Sequence, residues 1–358
     1  MKAPMVVGIE EAVASLDRYD TILDARSPSE HAEDRLPGAI SAPVLDDRER
    51  AHVGTVYKQQ SPFEARRIGA ALVSRNIATL LETTLAGKPR DWQPLVYCWR
   101  GGNRSSALAT VLARVGWRTA VLDGGYRAFR RQVVTGLAEL PTRLQWHVVA
   151  GRTGSGKSLI LQRLQAIGAQ VLDLEAIARH RGSVLGQIPA SEQPSQKNFE
   201  SSLWNALRRF DPARPVFVES ESKRIGRCHV PDPLLARMRA SAGTRIELPP
   251  GHRATLLLRE YQHFVSDRDI LFEKLDRLVP LHSRARVDDW RALAEAGRWP
   301  EFVEALLTTH YDPAYDKSIG RNYPAVSREG ATLVLPDDSD AALDACAREL
   351  QQRVDGGA

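Results

Sequence analysis

An eight-residue segment, GRTGSGKS at 151–158, constrains the fold more than any other part of the chain. It fits the pattern GxxxxGK[ST], in which a glycine-rich turn and a helix N-terminus surround phosphate groups with backbone N–H donors. The apolar stretch LQWHVVAG (144–151) precedes it, and the stretch LILQRLQAIG (159–168) has a helical pattern. We therefore predict a strand, a phosphate-binding loop and a helix. The predicted phosphate-binding residues are Gly151, Arg152, Thr153, Gly154, Ser155, Gly156, Lys157 and Ser158.

A magnesium ion is a natural companion of such a loop, with the Ser158 hydroxyl as one ligand. An assisting acid should end a later apolar strand. Glu219 follows VFV and Asp173 follows QVL, with Glu175 two residues further on, so these three acids are candidates for Mg²⁺ binding or general-base work. A helix-capping pair explains Asp173 and Glu175 equally well. Phosphate binding follows from the motif, whereas ATP hydrolysis does not.

A second loop with chemical character begins at Cys98, in the segment CWRGGNRS (98–105). The apolar stretch PLVYC ends at this cysteine, and a helix is predicted to start near Arg104. Two glycines, two arginines and a helix start should stabilise a thiolate, or the terminal atom of a persulfide or perselenide. These neighbours favour a nucleophile over a structural cysteine. The candidate substrate-binding residues beside catalytic Cys98 are Trp99, Arg100, Gly101, Gly102, Asn103 and Arg104.

The other two cysteines, Cys228 and Cys346, have no such neighbours and are predicted to be structural. Three distant cysteines make no disulfide framework, and CxxC and HExxH patterns do not occur, so no structural metal is expected.

A length of 358 residues suggests two domains, at roughly 100–200 residues each. Short apolar runs alternate with helical patterns in both halves, which predicts α/β architecture with parallel sheets. We place the domains at 1–138 and 139–358, with a helical insertion at about 253–310. The predicted strands are 21–25, 94–98, 118–123, 144–151, 169–175, 214–220, 244–248 and 331–336.

Charge is distributed unevenly along the chain, with a net +9 over residues 51–131 and +6 over 201–259. These stretches predict a polyanionic partner, although a solvated surface also explains them. No apolar run is long enough for a membrane span. The N-terminus reaches acidic residues after only a few apolar ones, unlike a signal peptide, so a cytoplasmic location without membrane contact is expected.

The cysteine loop resembles that of rhodanese domains, in which the active-site Cys stands six positions before an Arg, as Cys98 does before Arg104. The segments DARSPSEH (24–31) and RLPGAI (35–40) also resemble that family. Their Asp24 and Arg26 are usually architectural there. A rhodanese domain followed by a phosphate-binding loop is similar to the bacterial tRNA 2-selenouridine synthase family. Supporting stretches are 54–77, 97–112, 124–130, 151–158, 173–186, 193–201 and 217–227.

This resemblance implies a rhodanese-like parallel-sheet domain followed by a P-loop NTPase-like α/β domain with a helical insertion. It also implies replacement of sulfur by selenium in wobble 2-thiouridine of tRNAs for lysine, glutamate and glutamine. Geranyl diphosphate would first alkylate the sulfur, and selenophosphate would then supply selenium with Cys98 as the chalcogen-carrying nucleophile. These two are co-substrates, no tightly bound cofactor is expected, and a selenophosphate-supplying enzyme is a candidate partner.

Two alternatives stay open at this point. One is a rhodanese-type sulfurtransferase coupled to an ATP-dependent P-loop domain in tRNA thiolation. The other is an RNA-binding NTPase switch with an inactive rhodanese module, against which the intact loop at Cys98 weighs. Trp99 is open as well, since it could stack on a base, cover a prenyl chain or simply pack. The Tyr311-Asp312-Pro313 turn suggests no chemistry.

Overall fold

The structure is a computed structural model and describes residues 3–183, 185–189, 191–328 and 330–356. By internal packing the chain divides into two units. The first comprises Met1–Gly136 and Glu200–Asn205, and the second comprises Leu137–Phe199 and Ala206–Ala358. The predicted boundary at 138 lies inside a helix, Gly125–Arg143, which continues through the stretch where the sequence suggests a break.

The first unit contains a five-stranded sheet in the order β1-β5-β4-β2-β3, with every neighbouring pair parallel. Helices connect the strands, as parallel pairing requires. The elements are β1 (Met5–Val7), α1 (Ile9–Ala14), β2 (Thr21–Asp24), α2 (Pro28–Glu33), β3 (Ala39–Ser41), α3 (Asp47–Gln59), α4 (Pro62–Glu82), β4 (Pro94–Tyr97), α5 (Asn103–Val115), β5 (Ala120–Leu122) and α6 (Gly125–Arg143).

Local sequence explains where the helices around the cysteine loop begin and end. Helix α4 starts after Ser61, whose hydroxyl accepts the backbone N–H of Glu64 at 3.3 Å. Glu64 itself pairs with Arg67 rather than turning back to the backbone N–H of Ser61, so no capping box forms. Helix α5 ends at Gly116, which adopts a φ of 120°, a value that glycine reaches without strain.

The second unit has its own parallel five-stranded sheet, in the order β12-β11-β6-β8-β7. The strand before the phosphate loop, β6, is central and pairs directly with β8. A two-stranded antiparallel ribbon, β9 with β10, lies outside this sheet. The elements up to β11 are β6 (Gln145–Ala150), α7 (Lys157–Ala166), β7 (Gln170–Leu172), α8 (Leu174–Ala178), α9 (Gln196–Leu207), β8 (Pro215–Glu219), β9 (Arg224–Ile225), β10 (Cys228–His229), α10 (Asp232–Ala240) and β11 (Gly243–Glu247).

The helical segment that the sequence predicts at about 253–310 is present. It runs through several short helices and ends in a π-helical turn, Leu307–Tyr311. Its apolar faces form one buried cluster that includes Phe264, Leu275, Trp290 and Leu306. The remaining elements are α11 (Pro250–Glu260), α12 (Gln262–Ser266), α13 (Arg268–Asp276), α14 (Arg284–Glu295), α15 (Trp299–Leu306), α16 (Asp312–Asn322), α17 (Pro324–Arg328), β12 (Ala331–Val334) and α18 (Asp340–Asp355).

The predicted fold class is thus confirmed, with two corrections at the level of strands. The strand predicted over 169–175 is only Gln170–Leu172, because the Asp173 side chain accepts the N–H of Ala176 and caps α8 instead. Strands β1 and β3 were not predicted. Among the described residues no helix is long and apolar enough to cross a membrane.

Candidate functional site

Cys98 lies at the carboxyl end of β4, in the middle of the first unit's sheet. Crevices at the carboxyl ends of parallel strands are where α/β proteins bind ligands. The chain turns from Cys98 into α5, whose N-cap is Gly102. The first backbone N–H groups of α5 have no partner within the helix, so this end favours negative charge. The loop therefore has the placement that the sequence predicts.

Cys98 is only 3% exposed to solvent, and its sulfur atom has polar neighbours. The hydroxyl of Ser105 donates a hydrogen bond to Sγ at 3.1 Å, and Sγ lies 3.8 Å from the carbonyl oxygen of Gly102. Ser105 is fully buried on the first turn of α5. A hydroxyl donor aimed at the sulfur stabilises a thiolate, and the sequence-based assignment of site residues omitted it.

Gly124 and Gly125, which follow β5, let the start of α6 pack closely against the cysteine loop. The backbone N–H groups of Tyr126 and Arg127 donate to the carbonyl oxygens of Cys98 and Trp99, at 2.8 and 3.1 Å. This approach is so close that a Cβ on Gly125 would lie 2.3 Å from the Cys98 carbonyl oxygen. Only glycine fits there, which gives the GGYRAFR stretch (124–130) a physical role.

Arg104 does not point freely into solvent. Its guanidinium binds Glu30 at 2.8 Å, and Arg50 binds the same carboxylate at 2.9 Å. Burial would raise the pKa of Glu30, but the hydrogen bond and charge of Arg104 outweigh it and lower that pKa. The pair ties α5 to α2. Arg100, Gly102 and Asn103 are exposed beside it, and Gly101 is partly buried.

Trp99 stacks on Tyr126, with 5.2 Å between ring centroids. The guanidinium group of Arg26 lies over the Tyr126 ring, 4.1 Å from its centroid. The same group forms an ion pair with Asp24 at 2.7 Å. Asp24 and Arg26 are buried, at 0% and 1% exposed, which fits the architectural role that the resemblance implies. Trp99 is half-buried, so part of its side chain is exposed to solvent although it packs against Tyr126.

The hydroxyl of Tyr126 is held in turn by a buried carboxylate. Tyr126 donates to Asp34 at 2.8 Å, and Ser201 donates to the same oxygen at 3.0 Å. Burial raises the pKa of Asp34 although these hydrogen bonds oppose the shift. Ser201 belongs to the segment Glu200–Asn205, so residues far away in sequence support the ring on which Trp99 rests.

The phosphate loop of the second unit runs from the end of β6 to the start of α7. Gly154 and Gly156 adopt φ values of 77° and 82°, which only glycine reaches without strain. Both turn the chain so that α7 begins at Lys157 with its N-terminus toward the loop. This is the geometry in which backbone N–H groups bind phosphate oxygens. All eight predicted phosphate-binding residues lie together in it.

The ammonium group of Lys157 donates to the carbonyl oxygens of Gly151 and Arg152, at 2.5 and 3.3 Å. Burial lowers the pKa of Lys157, and nearby carboxylates, Glu175 first among them, oppose that shift. The Ser158 hydroxyl donates to Glu175 at 3.2 Å. The lysine and the hydroxyl therefore share one polar centre with an acid, as the motif requires.

The acids around this centre divide into two groups. Asp173 caps α8, which is the alternative that the sequence left open for it. Glu175, Glu219 and Glu221 lie near Lys157, and Glu219 accepts the backbone N–H of Glu175 at 2.9 Å. Burial raises the pKa of all three acids, of Glu221 to about 8. Repulsion from a neighbouring carboxylate adds to each shift, from Asp173 for Glu175 and Glu219 and from Glu175 for Glu221. Glu221 was missed, although it continues the strand-end alternation of Glu219.

One oxygen of Glu219, Oε2, is buried without a hydrogen-bond partner, as is the hydroxyl of Ser155. Within the described residues, no group of three or more His, Cys, Asp or Glu is arranged to hold a metal by itself. Mg²⁺ is commonly bound by one or two carboxylates together with substrate phosphates and water, so the residues present fit an ion that arrives with a phosphorylated ligand.

Three further side chains support the loop from positions that carry no motif. Arg253 is 5% exposed and donates two hydrogen bonds to the Thr153 carbonyl oxygen, at 2.9 and 2.8 Å, while Asp312 holds its other side. The Tyr315 hydroxyl accepts the backbone N–H of Gly151 at 2.5 Å. The Asp312 turn, to which the sequence assigned no chemistry, thus anchors the arginine beside the loop.

The remaining two cysteines, Cys228 and Cys346, are buried and form no disulfide. Burial raises the pKa of Cys228, and it raises that of Cys346 to about 11. The sulfur of Cys228 lies 3.9 Å from the Gln193 side-chain amide nitrogen and 3.7 Å from the Pro194 carbonyl oxygen, but it does not follow a parallel strand into a helix start as Cys98 does.

These two sites define a rhodanese-like unit and a phosphate-binding P-loop unit in one chain, and comparison with known proteins agrees. Residues 9–132 match the family model described as Rhodanese-like domain. Residues 144–273 match the model described as tRNA 2-selenouridine synthase AAA domain.

Curated relatives extend this match over nearly the whole chain. The tRNA 2-selenouridine synthase of Aeromonas salmonicida is 32% identical, covering 94% of this chain and 95% of the relative. The protein of the same name from Marinobacter nauticus is 31% identical, covering 87% and 90%. The chain therefore belongs to the tRNA 2-selenouridine synthase family. A solved rhodanese-related protein from Thermoplasma volcanium is 18% identical over 36% of this chain and 92% of its own, with a TM-score of 0.24, and the assignment does not rest on it.

Proposed function

We propose that the protein converts wobble 2-thiouridine of tRNA to 2-selenouridine. The observation that carries this proposal is the pairing, in one chain, of a cysteine at the carboxyl end of a parallel strand with an intact phosphate loop. The names of the curated relatives support the same activity. The tRNAs for lysine, glutamate and glutamine, a cytoplasmic location and a selenophosphate-supplying partner enzyme are parts of the proposal that the resemblance suggests.

In the first step, the sulfur of 2-thiouridine attacks C1 of geranyl diphosphate. A C–S bond forms, the C–O bond breaks, pyrophosphate leaves and the nucleobase loses its N3 proton. The phosphate loop is suited to this step because backbone donors and Lys157 stabilise the charge that develops on pyrophosphate. Mg²⁺ beside Ser158 would add charge to the same oxygens.

In the second step, selenium replaces the geranylthio group at C2. The C–Se bond forms, the C–S bond breaks, and the departing sulfur takes a proton to become geranyl thiol. Water cleaves the P–Se bond in the overall balance, so phosphate is the other product. Alkylation in the first step matters here because a thioether sulfur leaves more readily than a thiocarbonyl sulfur.

Cys98 is the nucleophile that we assign to the second step. Selenium in selenophosphate is already at the selenide level, so loading it onto Cys98 as a perselenide needs a two-electron oxidant, and its release needs a thiol. Attack of the thiolate on phosphorus needs neither. An S–P bond forms, selenide leaves toward C2, and water then returns the thiol and phosphate. We therefore prefer this route to the perselenide carrier that the loop alone suggests.

The test uses the purified full-length protein, a thiouridine-containing anticodon RNA, geranyl diphosphate and Mg²⁺, without any nucleotide. Nucleoside mass spectrometry should find the S-geranyl product, and addition of selenophosphate should convert it to selenouridine with release of geranyl thiol. An absolute requirement for ATP would instead favour the sulfurtransferase alternative, in which the P-loop unit is driven by nucleotide hydrolysis. Tight tRNA binding with no product in either assay would favour the RNA-binding switch.

A further inference from the structure

An apolar cleft in the second unit lies directly beside the phosphate loop. The space in it that no protein atom fills is about 540 Å³, including the part open to solvent. Leu257, Phe264, Phe302, Val303 and Leu306 line it, all less than a tenth exposed. Its lining comes almost entirely from the helical insertion to which the sequence assigned no function.

The cleft and the phosphate loop share a wall. Thr153, the third residue of the loop, is itself part of the cleft lining. Helix α11 packs against the loop so closely that a Cβ on Gly154 would meet Leu257 at 2.8 Å. Arg253, one turn earlier on the same face of α11, binds the Thr153 carbonyl oxygen. A ligand whose phosphates occupied the loop would therefore have an apolar surface at its other end.

Two tyrosines and an arginine are polar side chains next to the apolar part of the cleft. Tyr261 and Tyr311 line it, and the hydroxyl group of Ser183 lies beside both phenol groups. Arg181 lies over the Tyr261 ring at 4.8 Å and places a positive charge near that wall. Tyr311 stands in the π-helical turn Leu307–Tyr311, a distortion that recurs at functional sites.

We propose that this cleft binds the isoprenoid chain of the diphosphate donor and sets its length. The inference rests on the proposed function, since it assumes that the diphosphate occupies the loop. The occupant follows from chemistry: the loop selects phosphate, the described lining of the cleft is mainly apolar and aromatic, and both meet at Thr153 and Leu257. The ten-carbon chain lies in the cleft with C1 at the loop, where sulfur attacks it.

The experiment measures binding by isothermal titration calorimetry with the full-length protein, Mg²⁺ and no nucleotide or RNA. The probes are inorganic pyrophosphate and the dimethylallyl, geranyl and farnesyl diphosphates. For the wild type, we expect geranyl diphosphate to bind at least about 100-fold more tightly than pyrophosphate, because the chain leaves water. Dimethylallyl diphosphate should fall between them.

Two lining variants should move chain-length preference in opposite directions. Leu306→Ala enlarges the cleft and should raise the ratio of farnesyl to geranyl affinity about tenfold. Val303→Trp fills the cleft and should lower the affinity for geranyl diphosphate about tenfold. Its affinity for pyrophosphate should stay unchanged, which would show that the phosphate loop is intact. Leu278→Ala is the matched control, because Leu278 is buried in the same apolar cluster without lining the cleft. It should leave the farnesyl-to-geranyl ratio as in the wild type.

The outcomes separate this inference from the function on which it rests. If pyrophosphate and geranyl diphosphate bind the wild type equally, the loop holds a diphosphate but the cleft does not hold the chain. Equal chain-length ratios in Leu306→Ala and Leu278→Ala overturn the inference in the same way. If neither diphosphate binds, the donor site and the cleft assignment are both wrong.

Discussion

At the scale of single residues, the chemistry depends on a few atoms whose partners are fixed by neighbouring turns. The sulfur of Cys98 receives the Ser105 hydroxyl from the first turn of α5. The ammonium of Lys157 is held over the carbonyl oxygens of its own loop. Each arrangement follows from glycines at the bend and a helix start immediately after it.

Cys98→Ser should abolish selenium incorporation while geranylation of thiouridine RNA continues. A hydroxyl of far higher pKa is a poor nucleophile toward phosphorus or selenium at neutral pH. The measurement is nucleoside mass spectrometry after incubation with geranyl diphosphate and selenophosphate. Cys346→Ser removes a buried thiol outside this loop and should keep both activities, provided it folds. Normal selenation by Cys98→Ser would refute the assignment of Cys98.

Lys157→Ala should impair geranylation without preventing tRNA binding. Loss of a fixed cation beside the leaving group should cost about 2–4 kcal/mol, or ~30- to 1,000-fold in rate, by analogy with removal of one oxyanion donor. The initial rate of S-geranyl product formation checks this. Arg163→Ala, on the outer part of the same helix where it pairs with Asp340, is the control and should react at the wild-type rate. A normal rate in Lys157→Ala contradicts the diphosphate site.

At the scale of elements, local pattern was enough to predict most strands and the two loops. Strand, glycine turn and helix are adjacent in sequence, so the motif at 151–158 and the loop at Cys98 carry their own geometry. Strands β1 and β3 escaped prediction because both are three-residue edge strands with two exposed residues each, whereas the equally short β5 is buried throughout. Such short runs leave no period to detect.

Side chains that reach a site from distant elements could not be predicted in this way. Arg253 approaches the phosphate loop from α11, and Ser201 approaches Asp34 across 167 positions of sequence. Neither has a spacing rule relative to the motif it supports. Glu221 is different, because its alternation with Glu219 at the end of β8 was a usable signal for a second acid on the same side.

Strand β6 makes a pH-dependent contribution to stability through His147. Burial lowers the pKa of His147 to about 4. The folded protein keeps the ring neutral while the unfolded chain, with a pKa near 6.5, takes up a proton. The contribution is therefore complete above about pH 6.5 and is lost as the pH falls toward 4, by about 3 kcal/mol.

Urea unfolding at pH 7 and pH 4 tests this contribution of His147. His147→Gln should lose about 3 kcal/mol less than the wild type between those two values, because glutamine does not titrate. The carboxyl groups are the same in both proteins, so their contribution to the pH dependence of the unfolding free energy cancels in this comparison. An identical decline in both proteins would show that His147 is not responsible.

At the scale of the whole molecule, the chain carries an uneven basic charge that a tRNA would meet. Binding should weaken at least tenfold between about 50 and 200 mM salt, since phosphate contacts release counterions. Filter binding or fluorescence anisotropy with thiouridine tRNA measures this. A flat affinity over that range would exclude the basic stretches as the tRNA surface.

The exposed face of α4 offers a local version of the same test. Arg66 and Arg67 are exposed there, and Arg67 is partly neutralised by Glu64. Arg66→Glu should weaken tRNA binding and lower the salt slope, because it replaces one phosphate contact with repulsion. Arg353→Glu on α18 makes the same charge reversal at another exposed helical arginine and is the control. Equal weakening by both would indicate a general charge effect.

The acids beside Lys157 couple ligand binding to the exchange of protons with the solvent. With the pKa of Glu221 raised to about 8, that carboxyl group is mostly protonated at neutral pH. A diphosphate carries more negative charge than one Mg²⁺ neutralises, so the ligand that enters beside Glu221 is a net anion. An anion favours the protonated form of a nearby carboxyl group, so the site should take up hydrogen ions from the solvent as it fills. Because pyrophosphate departs in the reaction that we propose, each turnover would release those hydrogen ions again.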